Sequence, residues 1–220
     1  MPSYSDDLNK IKPLLTGLPP RWDGKKCVLE MKDANFQWRQ MEWWAFYFEL
    51  LCHRKLGSVL KMPGEKHNTV VWDATGTINW DFKAKAIKTD SKSFILNDQE
   101  AMNASIEKYG EHGLIVCLCD VEYNDKDRSF QRWREELQGG ISDYQKKRKK
   151  RTSRSRYRKK LAVPVELLYM RFDNESLDML DTHRQGRNSN GKPRPVKYSV
   201  NLERCCDLIT DSVQIGDPLE

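Results

Sequence analysis

The chain has 220 residues, 38% apolar and 32% charged, with six cysteines and a net charge of +6. That length supports one domain with a real core and a polar surface. No apolar run approaches the ~18 residues of a membrane span, and MPSYSDDLNKIKPLL has no basic-then-apolar leader, so a cytoplasmic protein without membrane contact is expected. Cys117 and Cys119 are two apart, Cys205 and Cys206 adjacent, and Cys27 and Cys52 isolated. With no CxxC pair, the spacing argues against a zinc ribbon and for reduced, buried thiols.

The charge is unevenly placed. Residues 146–160, KKRKKRTSRSRYRKK, hold eleven Lys or Arg and no acid; removing those eleven from the total of +6 leaves −5 for the rest. A mildly acidic body with one dense basic segment suggests an acidic site beside a polyanion-binding arm.

In chain order, a short helix is expected over 5–16, before the breakers Gly17, Pro19 and Pro20. QWRQMEWWAFYFELLCHRKL, 37–56, lacks Gly and Pro and is apolar on nearly every side, so it predicts a long buried helix ending at Gly57. Its two acids, Glu42 and Glu49, are seven residues apart and share a face. VVWDATGTINWDFKAKA, 70–86, predicts a hairpin turning near Thr75-Gly76, with its second strand reaching about Ile87. Asn97 or Asp98 caps a helix through about Tyr109, closed by Gly110 and Gly113. The apolar run GLIVCLCDVEY, 113–123, predicts a central strand, and the helix before it allows a parallel crossover. A helix at 127–138, a strand at 163–172, a short helix over ESLDMLDTH, a polar loop at 184–198 and a last strand at 198–203 complete the chain. The expected fold class is α/β (α+β), with a central mixed sheet flanked by helices and one domain spanning 1–220.

Acids are depleted in strands, so Asp73 and Asp81 in this hairpin call for a reason. Asp81 and Lys83 are i and i+2 and face the same way. Carboxylates held together suit Mg²⁺, which binds through one or two of them plus waters and phosphate oxygens and activates a water. A nearby lysine can orient that water. Asp73 joins Asp81 on one face only if the turn has three residues or a bulge; a two-residue turn would separate them.

Asp73, then Asp81-Phe82-Lys83 eight positions on, resembles the PD-(D/E)xK motif of the type II restriction endonuclease superfamily, with Trp72 in place of the motif's Pro. The resemblance covers roughly 37–123. It implies a core of helix, mixed sheet and crossover helix, a Mg²⁺ cofactor for which Mn²⁺ can substitute, metal ligation by Asp73 and Asp81, and Lys83 at the nucleophilic water. A glutamate on the preceding helix, Glu42 or Glu49, would complete the metal shell. It further implies a prokaryotic enzyme cutting double-stranded DNA at a palindromic site as a homodimer.

DNA contacts are expected in two places. Lys147, Arg148, Lys150, Arg151, Arg154 and Arg156, within a basic segment at 144–160, would neutralise phosphates. The loop 184–198 offers Arg184, Gln185, Arg187, Asn188, Asn190, Lys192 and Arg194, side chains suited to guanine and adenine edges. Gln99 and Asn103 are further candidates. His53, His67, His112 and His183 form no HxH or HExxH pattern, which disfavours a histidine-metal site; singly they read as surface or packed residues. The alternatives are a Holliday-junction-resolving or repair nuclease of the same fold, or a non-catalytic DNA- or RNA-binding protein.

Overall fold

The computed structural model describes residues 3–63, 71–88, 92–122, 127–141, 146, 159–186, 191 and 193–219. Its elements are α1 (Tyr4–Leu15), β1 (Trp22–Asp23), α2 (Gly24–Asp33), α3 (Trp43–Leu56), β2 (Ala74–Thr75), β3 (Asn79–Ala86), β4 (Ser93–Asp98), α4 (Gln99–Tyr109), β5 (His112–Val121), α5 (Ser129–Leu137), β6 (Leu161–Phe172), β7 (Asp181–Arg184), β8 (Val196–Asn201) and β9 (Ile209–Gln214). A mixed sheet runs β1-β6-β5-β3-β2, with β9 also on β6. Strands β3 and β5 are parallel; every other pairing is antiparallel. A second, antiparallel sheet runs β4-β8-β7. Among the described residues no helix is long and apolar enough to cross a membrane.

Strand β5 explains its own composition. Ile115, Cys117 and Cys119 join one core cluster with α1, α2 and α3. Leu114 and Val116, one residue out of phase, join another with Met102 and Ile106 of α4 and Leu96 and Val200 of the small sheet. A strand covered on both faces needs apolar residues at consecutive positions. The pairing of Asp81 with Leu114 and of Lys83 with Val116 puts those two charged side chains on the α4 side.

Several boundaries differ from expectation. Helix α3 starts at Trp43 rather than Gln37. Asn35 and Gln37 adopt positive φ (50° and 43°), which breaks helical continuity after α2. The carbonyls of Trp38 and Gln40 instead accept from Arg134 Nη2, 2.9 Å each, and that of Arg39 from Gln138, 3.1 Å. Helix α2, begun by Asp23 accepting from the Lys26 amide at 3.0 Å, and strands β4 and β9 have no counterpart in the sequence reading. ESLDMLDTH forms only a 3-10 turn at Ser176–Met179 before β7, where Asp181 to Arg184 pair with Ser199 to Val196. The expected loop at 184–198 thereby loses both ends to strands.

The hairpin register is set from outside the hairpin. Ala74 pairs with Trp80 and Thr75 with Asn79, which leaves a three-residue loop, Gly76-Thr77-Ile78. The buried Asp7 carboxylate of α1 accepts from the amides of Thr77 (2.8 Å) and Ile78 (3.3 Å) and from Trp80 Nε1 (3.0 Å). Thr77 Oγ1 donates to the Ser3 carbonyl at 3.0 Å. A Cβ at Gly76 would lie 2.4 Å from Asp7 Oδ2, so only glycine permits this approach.

Asp7→Ala would leave three donors without their acceptor and is expected to cost about 2–3 kcal/mol in urea unfolding. Gly76→Ala should lower stability in the same direction. An unchanged midpoint in Asp7→Ala would mean that the carboxylate does not hold the loop.

Candidate active site

Asp73 immediately precedes β2 and stands at the outer edge of β3, within electrostatic reach of Asp81. Strand β2 is two residues long, and among the described residues no other strand pairs the outer edge of β3. Asp73 takes over there. Its Oδ2 accepts from the Phe82 amide at 2.7 Å, and its own amide donates to the Trp80 carbonyl at 3.1 Å. Asp81 Oδ2 lies 3.3 Å from His112 Nε2 and 3.3 Å from Asn97 Nδ2. Asn97 also donates to the Val71 carbonyl at 2.6 Å. Each aspartate is thus held by Oδ2, and among the described residues Oδ1 of each has no hydrogen-bond donor.

Glu49 joins this pair from α3. Burial pushes its carboxyl up to about 8, aided by the negative charges of Asp73 and Asp81 and opposed by Lys83. Burial likewise raises Asp73 to about 6, with Lys83 working against it and Asp81 for it. Asp81 moves the other way: burial would raise it, but the hydrogen bond from His112, then Lys83, then the bond from Asn97, hold it below the ordinary value of 3.8. For Lys83, burial alone would lower the ammonium, yet the charges of Asp73, Asp81 and Glu49 raise it above 10.5. Three carboxylates surround one ammonium at a poorly solvated spot, which leaves an excess of negative charge.

Glu42 does not belong to this group. It is the residue before α3, where its Oε2 accepts from Lys159 Nζ at 2.6 Å and Trp44 Nε1 at 2.9 Å. The helix begins later than the sequence suggested, so the shared-face argument for Glu42 fails and Glu49 is the glutamate at the site.

The donor set fits a hard divalent cation. Oxygen ligands from two aspartates, with a third carboxylate near, match what Mg²⁺ takes from protein. Among the described residues no group of three His, Cys, Asp or Glu side chains is arranged to hold a metal ion by itself. A Mg²⁺ site that completes its shell with water and phosphate does not require one.

The expected DNA-contacting residues are dispersed. Arg184 is exposed on β7. Arg194 Nη1 donates to Gln185 Oε1 at 3.4 Å across the β7–β8 connection. Gln99 opens α4. Asn103 Oδ1 accepts from Tyr198 Oη at 3.0 Å, tying α4 to β8. Lys147, Arg148, Lys150, Arg151, Arg154, Arg156, Arg187, Asn188, Asn190 and Lys192 lie outside the described residues.

Sequence reasoning missed His112 and Asn97. A histidine opening a strand carries no pattern. Asn97 read as a helix cap, whereas it sits in β4 at a register shift between Ile95 and Asp98. No protein-family model, curated protein or solved structure matches the chain.

A carboxyl raised by burial stabilises the fold at low pH and ceases to do so as pH rises through its folded value. For Glu49 that window runs from 4.5 to about 8, and for Asp73 from 3.8 to about 6. Asp81 has the opposite sign and weakens the fold only below about pH 4. In EDTA the protein should therefore lose stability between pH 5 and 8, on the order of 4–5 kcal/mol from these two groups, seen as a falling Tm. Scanning calorimetry of Glu49→Gln should show a flatter profile; the same slope in both would remove Glu49 from the group.

Proposed function

We propose that this chain is a Mg²⁺-dependent endonuclease hydrolysing phosphodiester bonds in double-stranded DNA, in the manner of type II restriction enzymes. The observation that carries the reading is the gathering of Asp73, Asp81, Glu49 and Lys83 within electrostatic reach of one another beside β3. The carboxylates of Asp73 and Asp81 would hold the cation, water and phosphate oxygens would complete its shell, and Glu49 would add negative charge nearby. The bound ion would supply Lewis acidity toward the scissile phosphate and a water of lowered pKa.

The side chains then divide the remaining work. Lys83 keeps its proton at neutral pH, because the surrounding carboxylates raise its pKa. It therefore acts as a donor that orients the attacking water and offsets charge developing on the phosphate. Asp81, held ionised by His112 and Asn97, stays available as a ligand. The sheet β4-β8-β7 connects to the site through Asn97, and the side chains of the 184–198 stretch would supply base readout. The basic segment would add sequence-independent phosphate affinity. An enzyme of this size that cuts both strands would act as a homodimer on a symmetric site.

Plasmid incubated with Mg²⁺ should give discrete fragments that EDTA suppresses. Asp81→Ala should reduce cutting to background while retaining DNA binding, and Lys83→Ala should slow it by about 10²–10³-fold. Cutting confined to branched DNA would make the protein a junction-resolving nuclease. Retardation without cutting, unchanged in Lys83→Ala, would leave only a binding protein.

Arg184→Ala separates readout from phosphate contact. Loss of about 1–3 kcal/mol on the cleaved sequence, with little change on random DNA, is expected of a base contact. Equal losses on both would make Arg184 a phosphate contact.

A further inference from the structure

A one-directional series of hydrogen bonds ends on Asp81. Thr75 Oγ1 donates to Asn79 Oδ1 at 3.1 Å, and Asn79 Nδ2 donates to Ser105 Oγ at 3.0 Å. Ser105 Oγ lies 3.2 Å from His112 Nδ1, and His112 Nε2 3.3 Å from Asp81 Oδ2. Asn79, Ser105, His112 and Asp81 are each at most 4% exposed. An ionised Asp81 carboxylate can only accept, so the hydrogen between it and His112 sits on Nε2. In the neutral imidazole Nδ1 is then the acceptor, and the Ser105 hydroxyl, which keeps its proton to give while accepting from Asn79, supplies the donor.

From this geometry we infer that His112 is a positioning residue for the metal carboxylate, and not itself a metal ligand. The inference rests on the metal-site reading above. Both ring nitrogens are engaged, so neither lone pair is left for a cation. The ring has little freedom to turn away, since Trp72 lies 5.1 Å and Phe172 6.4 Å from it, centroid to centroid. Trp72 stands where the restriction-type motif has proline, and here it walls in the imidazole. Asn97 is the second clamp on the same oxygen, presented by β4 where its pairing with β8 shifts register. With Oδ2 gripped from two sides, Asp81 presents Oδ1 in one orientation. Outer partners of this kind align a ligand before the ion arrives, and their loss typically weakens metal affinity 10–100-fold.

The test measures metal binding without DNA. Mn²⁺ titrated into the full chain and followed by electron paramagnetic resonance gives the affinity. Wild type should bind, and Asp81→Ala should not. His112→Phe should bind about 10–100-fold more weakly. His112→Gln, which keeps an N–H donor near the Nε2 position, should recover most of that loss. Unchanged affinity in His112→Phe, or equal loss in both variants, would overturn the positioning role while leaving the metal site intact. Absence of Mn²⁺ binding in wild type would instead remove the metal-site reading and this inference with it. A long-range ¹H–¹⁵N spectrum of the wild-type imidazoles at pH 8 decides the matter if His112→Phe fails to fold. A protonated Nε2 with an unprotonated Nδ1 at His112 is expected, and the opposite tautomer would overturn the proposal.

Discussion

The buried carboxylate of Asp7 holds the β2–β3 turn on which the candidate site depends. By accepting from Thr77, Ile78 and Trp80, it selects a three-residue loop between β2 and β3. Strand side chains alternate, so one residue more or less in that loop would shift the β2–β3 register and break the approach of Asp73 to the Phe82 amide. The register is thus enforced from α1, about seventy positions away in the chain, with Gly76 yielding the space. Tyr4 stacks on Trp80 at 5.1 Å, so the same helix also packs against the strand that carries Asp81.

Charge balance dominates the site once that register is in place. Glu49, Asp73 and Asp81 share one ammonium, and the first two respond by holding their protons more tightly. Asp81 escapes this fate because two donors and one nearby positive charge act on it from three elements. His112 comes from β5, Asn97 from β4 and Lys83 from β3 itself. The three carboxyls therefore titrate in sequence, Asp81 first, then Asp73 and last Glu49, and a nearby cation would favour the ionised form of each.

The site also joins the two layers of the fold. Helix α3 contributes Glu49 from the side of the larger helical core. Helix α4 and the small sheet contribute Ser105 and Asn97 from the other. Strand β3 lies between them with an outer edge that, among the described residues, no strand covers after β2 ends. Asp73 fills part of that edge by accepting from the Phe82 amide, so one residue both caps the sheet and faces Asp81.

Much of this was legible in the chain itself. The apolar run at 113–123 announced a strand buried on both faces, Gly110 marked the end of α4, and the alternation of Asp81, Phe82 and Lys83 put two charges on one face. The glutamate was not decidable, because Glu42 and Glu49 share a face only if the helix already exists at Glu42. Arg134 and Gln138 draw the carbonyls of residues 38–40 away from helical bonding, and no local pattern reports that. Asn97 and His112 were illegible for a related reason: each acts on a residue fifteen or more positions away, and neither belongs to a periodic motif. Local propensity and alternation therefore determined which side chains could share a face. Only tertiary contacts, through buried hydrogen bonds that have no water to replace them, decided which of them do.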